Sequence, residues 1–389
     1  MSPTKHPYKV AYVAAVDLPD NRRAHAMQML KNGQAWSQCV TDFEFVTNVW
    51  RSNMKRLTPE NMASFYGLTH PFKITGLPVR RFELSQRAWV RELYFSMAAW
   101  RCKLRGLDFV YTRSYQLLRH SLKRGLPTIV ETHSPPGRTP EIDAMLSLTH
   151  EANFVALTTI SEPLAQMYRD FGVPKEKVMV LPDGVDLERF EAAHTIQEAR
   201  TKLGLPQDQV IGTYVGHLYD GRGIDTMLEA AKQKPEVLFL IVGGYPKDIE
   251  RWQAVVSAMG LNNIRFEGFV ANDQVPLYLW AGDFLMMPYG QGCATKDWMS
   301  PLKLFEYMAA GRAIISSDFP ILREVLADGK NGLLFEPDDG AGLAQAMTRV
   351  MEDTPMRQAM GEAALKEVAQ YSWVKRVEKV IEHFEAWQA

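Results

Sequence analysis

Apolar runs of strand length alternate with helix-length amphipathic segments through the first half of the chain, and the pattern then begins again in the second. In the first half, strand segments lie at 9–16, 43–49, 108–114, 127–133 and 154–160, and 178–186 closes the series. Helical segments lie between them at 24–38, 84–105 and 116–125, and another opens at Ser161 and ends before Gly172. In the second half, strands are read at 210–216, 237–244, 264–270 and 284–289, with helices at 224–233, 247–260 and 275–282. A strand followed by a crossover helix returns to its sheet as a parallel neighbour, so each half reads as a doubly wound α/β sheet. The expected architecture is two Rossmann-like domains at 1–186 and 209–370, joined by a polar, Ala-rich linker at 187–208 and followed by a helix at 371–389. The length of 389 residues also favours two cores over one. Ligands of such sheets bind beyond the carboxyl ends of the strands, so a cleft between the two domains is the expected active site.

The net charge of −1 conceals an asymmetry. Residues 1–180 hold 24 Lys and Arg against 15 Asp and Glu, a charge of +9, and the remainder hold 20 against 30, a charge of −10. The basic excess peaks over 73–124, with twelve basic and three acidic residues, and this stretch carries Phe82, Trp89, Tyr94, Phe95 and Trp100. One reading is a solvated helix with a core-facing aromatic stripe. The other is a face that meets anionic lipid or an anionic acceptor. Nucleic acid is not an expected partner, because the chain as a whole is not basic and no nucleic-acid motif appears.

Cys39, Cys102 and Cys293 are far apart and odd in number, which fits reduced thiols in a cytoplasmic protein rather than a metal site or a disulfide framework. The first apolar run, 10–16, is too short for a signal peptide, and no run approaches the ~20 residues of a membrane span. The expected location is cytoplasmic, with a peripheral place at the inner face of the membrane as a further option. No G-x-G-x-x-G follows the first strand and no G-x-x-x-x-G-K-[ST] occurs, which argues against a dehydrogenase and a P-loop NTPase. No D-x-D follows a strand, so no metal and no other cofactor is expected.

The segment SPLKLFEYMAAGRAIISSDFPILRE at 300–324 carries the clearest chemistry. Ser300 and Pro301 are read as N-cap and first residue of a helix that Gly311 ends, with a buried strand after it. Glu306 is the single acid in this apolar helix, and a buried carboxylate needs a partner. The expected partner is a ligand: ribose hydroxyls at Glu306, with diphosphate at the helix N-terminus. The competing reading pairs Glu306 with a basic residue of the fold. Lys303 lies in the first turn, where phosphate would bind, or simply faces solvent. Glu324 reads as a surface acid at least as readily as a site residue. His133 stands at a strand's carboxyl end, where sites belong. Arg22, His25 and Arg113, at loop or strand ends, are candidates for contact with an anionic acceptor.

Seven segments together resemble the retaining GT-B glycosyltransferases, and most closely family 4 among them. They are ETH at 131–133, LPDGVD at 181–186, GHLYDGRGIDTMLEA at 216–230, LIVGG at 240–244, NIRFEGFV at 263–270, YLWAGDFLMMPY at 278–289 and the 300–324 stretch. Their order covers nearly the whole chain. The resemblance implies that Glu306 is the second glutamate of the E-x7-E motif and holds the ribose, and that backbone N–H groups near Pro301 and Leu302 meet the diphosphate. It implies that Gly216, His217 and Arg222 occupy the phosphate-binding loop, that Phe269 and Val270 line the base, and that His133 faces the donor sugar. It also implies that the last helix, with its apolar stripe of Trp373, Val377, Ile381 and Phe384, crosses back to the first domain. Two positions depart from the pattern. His217 stands where an Arg is usual, and Lys303 is read as its compensation. Trp298 stands where the first, sugar-contacting glutamate is usual; a subgroup with SPLK-type sequences shares this, and Asp297 is a substitute if the loop shifts by one. The implied activity is metal-independent, retaining sugar transfer from a nucleotide sugar, UDP-linked before GDP-linked, to a glycan or lipid-linked acceptor in envelope or exopolysaccharide assembly. A nucleotide-sugar 2-epimerase of the same fold and a non-catalytic nucleotide-sugar-binding relative are the alternatives.

Overall fold

The computed structural model describes residues 5–19, 21, 23–80, 88–137 and 145–389. Arg22, Phe82 and the first residues of the expected 84–105 helix lie outside them. The chain divides into two compact units, one of 1–183 with 373–389 and one of 184–372.

In the first unit, seven parallel strands form one sheet. They are β1 (His6–Ala14), β2 (Val40–Trp50), β3 (Ile74–Arg80), β4 (Phe109–Thr112), β5 (Thr128–Thr132), β6 (Phe154–Thr159) and β7 (Val178–Val180), in the order β3-β2-β1-β4-β5-β6-β7. The sequence reading left β3 and the helix Pro59–Tyr66 unassigned. β3 carries Gly76 and Pro78, which break the apolar run that marks a buried strand. The helix Ala88–Leu104 seats Tyr94, Phe95, Ala98, Ala99 and Cys102 against Ala11, Val13, Val46 and Val110 of the sheet. The helix Ala24–Cys39 is buried along most of its length, polar Gln28, Lys31, Asn32 and Gln34 included. The C-terminal helix Trp373–Gln388 packs on it, and Phe384 meets Phe109 with ring centroids 4.3 Å apart.

The second unit holds six parallel strands: β8 (Ile211–Val215), β9 (Leu238–Val242), β10 (Ile264–Gly268), β11 (Phe284–Met287), β12 (Ala313–Ser317) and β13 (Leu333–Phe335), in the order β10-β9-β8-β11-β12-β13. The period of two distributes each strand to both faces. Leu240, Val242, Leu285 and Met287 enter one core, while Phe239, Ile241, Phe284 and Met286 enter the other. The segment 187–208, read from sequence as a linker, is folded within this unit. It forms a 3-10 turn at Leu187–Phe190 and the helix Ile196–Leu203, started by a Thr195–Glu198 capping box. Its polar composition reflects an exposed helix, not an open connection.

Both sheets reverse strand order beside their first strand, between β1 and β4 and between β8 and β11. Such switch points open a crevice at the carboxyl ends of the strands. Cys39, Cys102 and Cys293 are all free and buried. No described helix is long and apolar enough to cross a membrane.

Candidate functional site

At the β8–β11 switch point of the second unit, β8 runs into Gly216 and His217, and β11 runs into Pro288 and Tyr289. The loop between β8 and the next helix turns through Gly223, whose φ is 73°; a Cβ there would lie 1.5 Å from the Pro288 carbonyl oxygen. Only glycine permits that approach, and it sets Arg222 against the end of β11.

Two cations meet here. The Lys303 ammonium stands 3.9 Å from the Tyr214 ring centroid and 5.3 Å from that of Tyr289. The Arg222 guanidinium stacks 4.5 Å from Tyr219 and 5.1 Å from Tyr289, and donates a hydrogen bond to the Tyr219 hydroxyl. A Cβ on Gly216 would lie 2.6 Å from Lys303 Nζ, so the ammonium occupies the space above that glycine. Neither cation has an ion-pair partner among the described residues, and Arg222 Nε is buried without an acceptor. Burial, and then the neighbouring Arg222 charge, hold the Lys303 pKa well below the usual lysine range. Burial also disfavours the charge on Arg222, but the phenols of Tyr289, Tyr219 and Tyr214 more than offset this and raise its pKa. Two uncompensated cations framed by three tyrosines make a seat for a multivalent anion.

The helix that brings Lys303 is Leu302–Ala309, with Pro301 as its N-cap and no side chain capping its first N–H groups. It therefore begins one residue later than the sequence implied; Pro301 has extended φ and ψ, and Ser300 precedes the cap. Tyr307 fixes it to the sheet, accepting from the Val215 N–H at 2.8 Å.

Glu306 has a protein partner, as the competing reading of this acid had it. Arg189 Nη1 donates to Glu306 Oε1 at 2.9 Å, and Nη2 donates to the Asn272 carbonyl. The Arg189 side chain is 5% exposed and that of Glu306 17%. Oε2 of Glu306 has no partner among the described residues.

His217 is stacked between Tyr219 and Tyr245, at 5.4 and 5.3 Å. Burial, Arg222 and Lys303 together lower its pKa and keep the ring neutral. It adds a surface but no charge to the seat. Phe269, 50% exposed, follows the end of β10, and Val270 packs partly into the core. Asp297 is exposed in the turn before Ser300, and Trp298 donates its backbone N–H to Thr295. Glu324 ends the 3-10 turn Leu322–Glu324.

The first unit carries its own cluster at the carboxyl end of β5. Glu131 is fully buried and accepts from Gln28 at 2.7 Å, Asn32 at 3.2 Å, Tyr111, His133 Nε2 and Arg376 Nη1 at 3.4 Å. Arg376 comes from the C-terminal helix, and its Nε donates to the Pro182 carbonyl at 3.1 Å. Burial alone would raise the Glu131 pKa, but Arg376 and His133 overcome it and hold the carboxyl well below its usual range. The His133 pKa is lowered as well, by burial and by Arg113, which favours the neutral ring. Arg113 joins the cluster through Gln28, to which it donates at 2.7 Å, and the His25 pKa is lowered by burial and then by Arg113, Arg23 and His133. His133, Arg113 and His25 are thus brought together. Glu131, His133 and Asp183 offer ligand atoms within 4.8 Å of one another. Glu131, however, already accepts from five donors, more than its four lone pairs serve singly.

Sequence reasoning missed Tyr214, Tyr219, Tyr289, Arg189, Glu131 and Arg376. An acid inside the apolar run TIVET was a signal for Glu131; the tyrosines at the ends of β8 and β11 and the arginine in a polar segment gave none.

Residues 195–367 match the model for glycosyl transferases group 1, and 58–189 that for glycosyltransferase family 4. The D-inositol 3-phosphate glycosyltransferase of Streptomyces avermitilis is 27% identical over 231 residues, 56% of this chain and 48% of that protein. The phosphatidyl-myo-inositol mannosyltransferase of Mycolicibacterium smegmatis is 31% identical over 198 residues, 50% of this chain and 48% of that protein. The chain thus spans about half the length of these curated relatives. Among solved structures, Anabaena HepE in complex with UDP superposes with a TM-score of 0.74 at 15% identity, over 97% of this chain and 100% of that one. A glycosyltransferase model is thus matched within each half of the chain, and the fold is that of the Anabaena structure.

Proposed function

We propose that the chain transfers a sugar from a nucleoside diphosphate sugar to a glycan or lipid-linked acceptor. The observation that carries this reading is the pair of cations without counter-charge, Arg222 and Lys303, beside the uncapped start of the Leu302–Ala309 helix. A leaving diphosphate gains charge as the glycosidic bond breaks, and preorganised cations with helix N–H groups stabilise that charge. The Arg222 fork suits two phosphate oxygens and Lys303 acts as a point charge. No metal need be invoked. UDP is the favoured nucleotide, since the Anabaena neighbour was solved with it.

Glu306 is the proposed ribose ligand. Arg189 holds one carboxylate oxygen and leaves the other to accept from a hydroxyl. His133 is the proposed catalytic group of the first unit. The ionised Glu131 requires the proton on Nε2, so Nδ1 of the neutral ring is an acceptor for a sugar hydroxyl. Retention through front-face attack, assisted by the leaving phosphate, is the proposed stereochemical course.

The deciding experiment is a thermal-shift panel of UDP, GDP, ADP and dTDP with their sugars, followed by UDP release with and without acceptor glycans. Stabilisation by UDP and by a UDP-sugar is expected, with release that depends on acceptor. Failure of every nucleoside diphosphate to stabilise the protein would refute the proposal. Binding without turnover would favour a non-catalytic relative, the reading that Trp298 in the usual glutamate position supports.

A further inference from the structure

Among the described residues, ten large apolar side chains are exposed, and five of them are Trp89, Leu93, Met97, Trp100 and Leu104 of the single helix Ala88–Leu104. Their exposures are 55, 46, 40, 54 and 77%. At 100° per residue these positions fall within an arc of about 80°, a continuous stripe roughly 22 Å long. The buried set of the same helix, Val90, Tyr94, Ala98 and Cys102, occupies the adjoining face. The helix is therefore apolar on two sides, one spent on the core and one left bare. Scattered exposed apolar residues need no explanation; an aligned row of this size does.

Charge identifies what covers it. Along one flank runs the end of the helix Tyr115–Leu122, tied to the stripe by Arg124, whose guanidinium lies 5.7 Å from the Trp100 ring and donates to Ser96 at 3.1 Å. Lys103, Arg119, Lys123 and Arg124 stand on this flank, with Glu92, paired to Arg119 and His120, as their acidic neighbour among the described residues. On the other flank, Arg101 and Arg105 are occupied by Glu44 and Asp42. An apolar row bearing two tryptophans, edged by cations in excess, has the composition of a helix lying in a membrane interface.

We propose that the Trp89–Leu104 stripe docks the first unit on an anionic lipid bilayer. The apolar side chains enter the headgroup–acyl boundary and Lys103, Arg119, Lys123 and Arg124 meet the lipid phosphates. The proposal rests on this surface alone and is independent of the donor seat.

The test is flotation of the full chain with vesicles of phosphatidylglycerol and phosphatidylcholine in equal amounts, against vesicles of phosphatidylcholine only. Binding to the mixed vesicles is expected, weakening as salt rises because exposed charges are screened. Leu104→Glu, at the most exposed position, and Trp89→Ser with Trp100→Ser should each weaken binding about tenfold or more with an unchanged melting temperature. Lys103→Glu and Lys123→Glu should weaken it by about fivefold each. No binding of the wild type at low salt would overturn the proposal. So would self-association that the stripe variants abolish, with no vesicle binding, since a second copy would then be the occupant.

Discussion

Arg189 Nη1 lies 2.9 Å from Glu306 Oε1, and both side chains are held within the second unit, 5% and 17% exposed. The pair defines the direction of a carboxylate whose other oxygen is unengaged. If Glu306 binds ribose, removing either partner weakens the nucleotide. Glu306→Ala should lower UDP affinity about tenfold or more, the worth of a hydrogen bond to a charged group. Arg189→Met should lower it less, because the carboxylate remains but turns freely. In a double-mutant cycle read by calorimetry, the two changes should couple by about 1–3 kcal/mol. Additive effects would mean that Arg189 does not act through Glu306.

Arg222 and Lys303 should discriminate by phosphate, not by base. Arg222→Met and Lys303→Met should each weaken UDP by about ten- to a hundredfold, while uridine binding stays unchanged. The Lys303 pKa is depressed by burial and by Arg222, and a bound diphosphate would raise it. A group whose pKa rises on binding takes up a proton, so UDP affinity should fall as pH rises. Calorimetry in buffers of different ionisation enthalpy should detect that uptake, and Lys303→Met should abolish it.

The parallel sheets were legible in the sequence because each central strand is a continuous apolar run that periodicity detects. Gly76 and Pro78 hid β3, and the polar surface of the helix Ile196–Leu203 made a folded segment resemble a linker. At the site, Glu306 was visible as one acid in an apolar helix, yet its partner Arg189 lies 117 residues away, a distance that local pattern cannot bridge. The tyrosine frame of the cation seat was hidden for the same reason. Tyr214 and Tyr289 end two different strands and meet Lys303 only once β8 and β11 pair.

Glu131 is argued to position His133, and a pH profile separates this from a merely structural role. His133 has a lowered pKa, from burial and from Arg113, and Glu131 opposes that lowering. Turnover should therefore fall toward acid, with a midpoint below the ordinary histidine value of about 6.5. Glu131→Gln removes the opposing carboxylate, so the acid limb should move to lower pH while kcat falls by about tenfold or more. The substitution also leaves Arg376 buried and unpaired, at a cost of about 3–5 kcal/mol. Adding Arg376→Met should recover part of the melting temperature without restoring the wild-type pH limb. An unmoved limb would leave Glu131 a structural residue only.

Acid should loosen the helix Ala88–Leu104 through Glu44. This carboxylate, 1% exposed, accepts from Arg101 at 2.6 Å and from Arg105 and Thr75. Burial works against its charge, but the hydrogen bonds from Arg101, Thr75 and Arg105 win and lower its pKa to about 2. A depressed carboxyl pKa contributes stability that is complete above the unfolded value, about 4.3, and is lost as pH falls through the folded value. The loss should therefore fall between about pH 4.3 and 2, with a size of about 2 kcal/mol once solvent screening of the part-exposed Arg101 and Lys73 is discounted. Thermal melts across this window should show a steep decline in the wild type. Glu44→Gln should start from a lower melting temperature at neutral pH and decline less steeply, since the stability linked to this carboxylate is then absent at every pH. Parallel declines in the two proteins would show that Glu44 contributes no linked stability.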